Sequence, residues 1–168
     1  VLQQIFSNGS PDADVVYGDS IADYGDFRIY QKAGSPGKLW KGMICSHQSM
    51  FFKGSAIRDT GYVISDCIVA DHELVLRLYK AGASFKYLPL PIAVNDTRGI
   101  SNREQVRSVC ERYRMVKKAG EMTGFRSLYY LWLWLLAVIV ECGYLILPKK
   151  TVHFFIRAIY KRTLISAT

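Results

Sequence analysis

The segment Asp66–Lys80, DCIVADHELVLRLYK, has the apolar spacing of an amphipathic helix. Ile68, Leu74 and Leu78 fall near one face of that helix, and Gly82 is a residue type that commonly ends helices. The segment therefore predicts a helix, with strand-like segments before and after it along the chain.

Six short segments around this helix have the apolar runs and bounding turn residues that are typical of strands. They are residues 13–17, 27–32, 39–44, 49–53, 84–88 and 92–95. The first of them, Ala13–Tyr17 (ADVVY), predicts a buried strand closed by Gly18 and Asp19.

Two further helices complete the predicted pattern. Residues 54–60 predict a single helical turn ending at Gly61, and the capping box Ser101–Glu104 opens a longer helix that ends near Gly120. Strands that alternate with helices predict an α/β layered domain.

The composition limits the class of protein. Half of the residues are hydrophobic, which excludes a disordered chain. The four cysteines have no metal-binding spacing, so we predict reduced thiols without an assigned function in a cytoplasmic protein: Cys45, Cys67, Cys110 and Cys142.

The basic excess of the chain is concentrated in its C-terminal part. Residues 1–96 carry nine Lys/Arg and ten Asp/Glu, whereas residues 97–168 carry thirteen Lys/Arg and four Asp/Glu, a net charge of +9. Such a block can meet nucleic acid, anionic lipid or phosphorylated ligands, and composition alone does not select among them.

A long apolar segment follows in the same region. The twenty residues Leu128–Leu147 carry one charge, Glu141, and have the length that crosses a bilayer core. The next segment, Thr151–Leu164, mixes apolar and basic residues and predicts an interfacial amphipathic helix. We predict a membrane-associated tail over residues 121–168; the alternative for the apolar segment is a buried core helix.

Three polar motifs are candidates for chemistry. Ala70–Leu74 (ADHEL) places Asp71 and Glu73 at a predicted helix start, where a carboxylate is held ionised, as a general base requires. The alternative for this motif is ordinary helix capping. Ser46–Gln48 (SHQ) precedes an apolar strand, so His47 is able to bind a metal, a phosphate or a sugar hydroxyl, or to be structural.

The third motif is the loop Thr97–Ser101 (TRGIS), immediately before the predicted capped helix. Arg98 supplies charge and the helix start supplies N–H groups, so the loop can close over a phosphate. The alternative is an ordinary connection between a strand and a helix.

The order and spacing of the motifs resemble those of bacterial family-2 glycosyltransferases, which are inverting enzymes of the GT-A fold. The matching motifs, over roughly residues 1–119, are DVVYGD (14–19), SHQSMFFK (46–53), GY (61–62), ADHELVLRL (70–78), KYLP (86–89) and RGIS (98–101). The resemblance implies a fold: residues 1–120 as the acceptor-side, C-terminal half of a GT-A domain, with a partial mixed sheet and flanking helices.

The resemblance also implies roles for seven residues. They are the general base (Asp71), the acceptor or donor sugar pocket (His47, Gln48, Glu73) and a loop near the diphosphate (Arg98, Gly99, Ser101). Glu73 matches a position that orients the base or binds the acceptor. Arg98 stands where the family usually has its first glycine, which is a departure from the pattern.

The family binds its nucleotide and a divalent metal, Mn or Mg, through an N-terminal half that ends in a D-x-D motif. Residues 1–10 resemble the helix that follows this motif. We therefore expect the donor site and the metal to lie outside this chain, and we expect the chain alone to bind no metal and to be inactive.

The function implied is transfer of a sugar from a nucleotide-sugar donor to a lipid-linked or saccharide acceptor in surface polysaccharide synthesis. The tail predicts contact with membrane lipid at the cytoplasmic face of the inner membrane, as a peripheral or monotopic protein. The alternative is a catalytically inactive membrane-associated remnant or sugar-binding module. A nucleic-acid partner is not expected, because the basic residues interleave with an apolar run.

Overall fold

The computed structural model describes residues 12–61, 68–96, 104–146 and 164–165, together with Gln3 and Thr151. The strands within these residues are β1 (Val15–Asp23), β2 (Arg28–Gln31), β3 (Met50–Phe52), β4 (Phe85–Asp96) and β5 (Leu164–Ile165). The α-helices are α1 (Gly54–Thr60), α2 (Ala70–Lys80), α3 (Gln105–Lys118) and α4 (Gly124–Ile146). The predicted α/β class is confirmed, whereas the likeness to half of a GT-A domain stays a prediction.

β1 is the centre of a mixed sheet. β4 pairs with it in parallel along its whole length, and β3 and β2 pair antiparallel with its first and second halves. β5 extends the sheet by pairing with β2. The strands predicted at residues 27–32 and 49–53 are confirmed, with β2 and β3 slightly shorter than predicted. Against this sheet α2 packs Leu74 and Leu78, which are buried in a cluster with Val15.

The predicted end of the first strand is wrong, because β1 continues through Gly18 and Asp19 to Asp23. Gly18 is required there by the close approach of β4: a Cβ atom at this position would lie 2.6 Å from Ile92 Cδ1 and 2.8 Å from the carbonyl oxygen of Leu90. The glycine therefore permits the strand pairing at a position where it was predicted to end the strand.

The two strands predicted around Pro89 and Pro91 form the single strand β4. The register between β1 and β4 shifts on either side of Asp19, the residue opposite Pro91. Proline lacks the N–H that a regular ladder uses, so it is tolerated at such an irregularity.

The strand predicted at Leu39–Ile44 is also wrong. Pro36–Lys38 forms a 3-10 turn and the chain continues through further turns. Side chains bond two carbonyl groups of this segment: Leu39 O lies 2.6 Å from His72 Nε2, and Trp40 O accepts the Tyr130 hydroxyl at 2.7 Å. The segment is rich in apolar residues because it is a loop whose side chains pack into the core.

α2 begins at Ala70, four residues later than predicted, and ends before Gly82 as predicted, where φ is +82°. Its Arg77 donates to the carbonyl oxygens of Thr60 and Gly61 at 2.7 and 2.5 Å, which joins α2 to the end of α1. These bonds satisfy carbonyl groups that a helix end leaves unpaired.

The C-terminal predictions are tested in part. α3 and α4 form where helices were predicted, but α3 begins at Gln105 with Glu104 as its N-cap residue, so the helical position that the capping box predicted for Glu104 is wrong. Ser101–Arg103 of the capping box lie outside the described residues. Most of the predicted interfacial helix, residues 152–163, also lies outside them. Its last residue, Leu164, is in the strand β5, so the prediction is wrong at that residue.

Candidate functional site

The structure brings together two residues that the sequence predicted from separate motifs, His47 and Asp71. His47 begins the 3-10 turn that leads into β3, and Asp71 lies in the first turn of α2. The two side chains approach to 3.4 Å between His47 Nδ1 and Asp71 Oδ2. We call them the His47–Asp71 pair.

Local structure fixes both ends of this pair. Ser49 N donates to Ser46 O at 2.9 Å, which closes the turn at His47, and Met50 then enters β3 opposite Tyr17. Asp71 lies where the free N–H groups and the dipole of α2 favour a negative charge. The pair is thus held by a sheet strand on one side and by a helix start on the other.

The pair is accessible. The side chains of His47 and Asp71 are 50% and 43% exposed, so a substrate hydroxyl can reach the carboxylate from solvent. An accessible carboxylate with an imidazole beside it is suited to accept a proton and to hold a polar ligand in place. Gln48 is exposed beside His47 in the same turn.

Glu73 differs from Asp71 although it lies only two residues further along α2. Its side chain is buried, and Oε2 has no hydrogen-bond partner in the part of the chain that the structure describes. The predicted roles of Glu73, orienting the base or binding the acceptor, stay predictions.

His72 separates the two acids and points into the core. It is buried, its Nε2 lies 2.6 Å from Leu39 O, and its Nδ1 has no partner among the described residues. Burial lowers the pKa of His72 from 6.5 to about 4, against the opposing effect of the Leu39 carbonyl. His72 is therefore neutral at pH 7, and its Nε2–H donates to Leu39 O, which holds the 36–44 loop against α2.

We expect this burial to make the protein acid-sensitive. Between pH 6.5 and about 4 the unfolded chain takes up a proton at position 72 and the folded chain does not, so stability falls as the pH falls. The loss attributable to His72 is about 3 kcal/mol. Urea unfolding from pH 7 to pH 4 should show this part of the pH dependence missing from His72→Gln, whose amide can still donate to the loop. The control is His47→Gln, and equal pH dependence in wild type and His72→Gln would contradict the assignment.

A buried carboxylate, Asp19, anchors strands near this loop. It accepts hydrogen bonds from the Tyr30 hydroxyl, from the Tyr87 hydroxyl at 2.9 Å and from Ala33 N at 2.7 Å, so it ties β2 and β4 to β1. Burial and then the bond to Asp19 raise the pKa of Tyr87 to about 12. Burial, with Asp19 adding to it, also raises the pKa of Cys45 to about 12, so this thiol is protonated at pH 7.

Sequence reasoning did not single out Asp19 as an organising residue. The signal that was available is an acid directly after an apolar run, since a carboxylate inside a central strand must be satisfied by partners from neighbouring strands. Those partners come from positions 11 and 68 residues away, which a local pattern does not reveal.

The loop also connects the site to α4. The Trp40 and Tyr129 rings pack edge to face, with centroids 5.3 Å apart and an interplanar angle of 72°, and the Arg126 guanidinium lies 4.7 Å from the centroid of the Trp40 ring. Tyr130 donates to the Trp40 carbonyl. The same loop therefore bonds α2 through His72 and α4 through Tyr130.

The remaining predicted site residues are not tested. Arg98, Gly99 and Ser101 lie outside the described residues. In residues 12–61, 68–96 and 104–146 no group of three or more His, Cys, Asp or Glu side chains is placed to hold a metal ion. The expectation that a divalent metal binds elsewhere in the complete enzyme stays a prediction.

α4 is the one helix among the described residues that is long and apolar enough to cross a membrane, over Gly124–Gly143. Only 11% of that segment is buried, which does not fit the alternative of a core helix. The apolar segment predicted in the C-terminal part is thus a helix of which few residues are buried within the part of the chain that the structure describes.

No protein-family model, no curated protein and no solved structure matches this chain.

Proposed function

We propose that this chain is the acceptor-side half of an inverting, family-2-type glycosyltransferase, with Asp71 as its general base. The observation that carries the proposal is the approach of His47 and Asp71 to 3.4 Å at an accessible position, from two motifs that resemble the family's in order and spacing. The α/β arrangement supports it, because it holds the acid at a helix start beside a sheet edge.

In the proposed reaction, the acceptor hydroxyl oxygen attacks the anomeric carbon of the donor sugar. The new C–O bond forms as the bond from that carbon to the nucleotide diphosphate breaks, and the bonding pair leaves with the diphosphate. Asp71 accepts the hydroxyl proton as the oxygen attacks. A single displacement of this kind inverts the configuration at the anomeric carbon.

His47 is a positioning residue in this proposal. Its ring nitrogen lies within reach of the Asp71 carboxylate, so it can hold that carboxylate toward the acceptor and bond a neighbouring sugar hydroxyl. Gln48 and Glu73 are proposed to contact sugar or acceptor, and the Arg98, Gly99 and Ser101 loop to face the donor diphosphate. A divalent metal, Mn or Mg, supplies charge neutralisation at that diphosphate when bound in the nucleotide-binding half.

The proposed site of action is the cytoplasmic face of the inner membrane, on a lipid-linked or saccharide acceptor. α4 supports membrane attachment by its length, its apolar composition and its uncovered surface. The Tyr130 hydroxyl bonds the carbonyl of Trp40, and His72, the residue after Asp71, bonds the carbonyl of Leu39, so the same loop contacts both α4 and α2.

The experiment is a turnover assay on the complete enzyme, meaning this chain joined to the nucleotide-binding half that the resemblance implies. A panel of nucleotide sugars is incubated with Mn²⁺ and with saccharide or lipid-linked acceptors, and release of nucleoside diphosphate is measured. We expect acceptor-dependent release that a chelator abolishes. Saturable sugar binding without any turnover across the panel would instead establish a non-catalytic binding module.

A further inference from the structure

α4 has two unlike faces. The face toward the rest of the protein contains Tyr130 and Ala137, which are buried, and Glu141, whose Oε1 accepts Val106 N at 2.8 Å. These residues recur at helical spacing and pack α4 along α3. The bond to Val106 satisfies an N–H group at the start of α3 that would otherwise lack an intrahelical partner.

Both charged residues of α4 are engaged with the protein body. Glu141 caps α3, and Arg126 pairs with Glu121 at 2.5 Å while its guanidinium lies over the Trp40 ring. A charge facing hydrocarbon is costly, about 2.5–3.5 kcal/mol on insertion scales. Because Glu141 and Arg126 both face partners in the protein body, neither charge has to enter hydrocarbon when the opposite face of α4 contacts a bilayer.

The opposite face of α4 carries large apolar side chains that are exposed in the part of the chain that the structure describes. Phe125 is 73% exposed, Leu128 67%, Ile139 65% and Ile146 79%. The other large exposed side chains of α4 are also apolar: Leu131, Trp132, Trp134, Leu135, Leu136 and Val140. A soluble surface rarely carries so continuous an apolar face.

A basic strip of α3 borders this face. Arg114, Lys117 and Lys118 are exposed and share one side of α3 at i, i+3 and i+4 spacing. Arg114 lines a groove of about 420 Å³ together with Leu131 and Trp134 of α4, so the strip begins beside the apolar face. We call the outer face of α4 together with this strip the docking surface.

We propose that the docking surface lies on an anionic bilayer with α4 parallel to the membrane plane, its outer face in the hydrocarbon boundary and the basic strip on the phosphate headgroups. The net charge of the C-terminal part supports an anionic bilayer as the partner, since residues 97–168 carry a net charge of +9. The proposal rests on the membrane attachment proposed above, and it is independent of the transfer chemistry.

The packing of α3 favours an in-plane helix over a spanning one. α3 runs along α4 and carries Arg107, Glu111 and Arg112 in addition to its basic strip. If α4 crossed the bilayer, these charges would enter the hydrocarbon with it or α3 would have to detach. An in-plane helix buries the apolar face and keeps α3 in water.

The test measures depth at two points of the docking surface. One environment-sensitive fluorescent amino acid replaces either Leu128 or Ile139 in the full chain, and lipids that carry a quencher at a shallow or a deep position are added in vesicles containing phosphatidylglycerol. The two positions are separated by about 16 Å along the helix. We expect the same shallow depth at both. Depths that differ by about this length would show a spanning helix. No quenching at either position would show that the docking surface does not contact the bilayer. Each of these results overturns the proposal.

A charge experiment tests the partner. Combining Arg114→Gln, Lys117→Gln and Lys118→Gln should weaken sedimentation with phosphatidylglycerol vesicles on the order of 100-fold, and should change little with phosphatidylcholine alone. The matched control removes three exposed lysines elsewhere: Lys38→Gln, Lys53→Gln and Lys86→Gln. Equal weakening in the two triple variants would contradict a docking surface of this shape. Turnover of a soluble saccharide acceptor by the complete enzyme separates a failure here from a failure of the proposed transfer reaction.

Discussion

Replacing Asp71 with asparagine is expected to lower kcat of the complete enzyme by about 10²–10⁴-fold, the usual contribution of a positioned general base. Asparagine keeps the shape of the side chain at the start of α2 but cannot accept the acceptor proton. Because the side chain of Asp71 is 43% exposed and its partner His47 is 50% exposed, the unfolding midpoint should change little. Steady-state kinetics with saturating donor measure the first quantity, and urea unfolding measures the second.

The matched control for this substitution is Asp26→Asn, an exposed acid between β1 and β2. It removes the same charge away from the His47–Asp71 pair, and we expect turnover close to wild type. Near-normal turnover in Asp71→Asn, or an equal loss in Asp26→Asn, would remove Asp71 from the role of base.

Replacing Asp19 with alanine should destabilise the protein by about 3–5 kcal/mol. The substitution removes the acceptor of two tyrosine hydroxyls and one backbone N–H, and hydrogen bonds to a charged group contribute roughly 1.5–3 kcal/mol each. Part of the loss is recovered because Tyr30 and Tyr87 are half-buried and can reach water. Urea unfolding at pH 7 gives the value directly.

Two single substitutions divide this effect. Tyr30→Phe and Tyr87→Phe each remove one hydroxyl and should each cost about 1–2 kcal/mol, less than Asp19→Ala. If Asp19→Ala is no more destabilising than either tyrosine variant, the carboxylate does not organise the junction of β1, β2 and β4.

The elements with strong local patterns were predictable from sequence. α2 has apolar residues at helical spacing and a glycine stop, and the structure forms it four residues shorter at its start. The apolar segment of α4 was likewise evident from its length and single charge. For both helices, the pattern that predicts the structure lies within one continuous segment of the sequence.

The errors arose where distant residues determine the conformation. Leu39–Ile44 has residues typical of a strand, but His72 and Tyr130 bond the first two carbonyl groups of this segment and hold it as a loop. A glycine after an apolar run commonly marks the end of a strand, yet Gly18 lies inside β1, where the lack of a side chain lets β4 approach closely. These outcomes depend on residues that are 33 to 90 positions away, beyond the reach of a local pattern.

In the candidate site, too, the residues were predictable from local motifs, whereas their arrangement depends on distant contacts. Asp71 and His47 were each singled out from their own motif, but their approach to 3.4 Å depends on how β3 and α2 pack. The orientation of Glu73 was not predictable, because the side of α2 that faces the core is set by the sheet and by the loop that His72 holds.

The anomeric configuration of the product tests the central claim most directly. The complete enzyme is supplied with the α-linked nucleotide sugar that it turns over, and the anomeric proton of the purified product is examined by NMR. A single displacement assisted by Asp71 predicts a β-linked product from wild type and almost no product from Asp71→Asn. An α-linked product, or a β-linked product formed equally fast by Asp71→Asn, would contradict the mechanism.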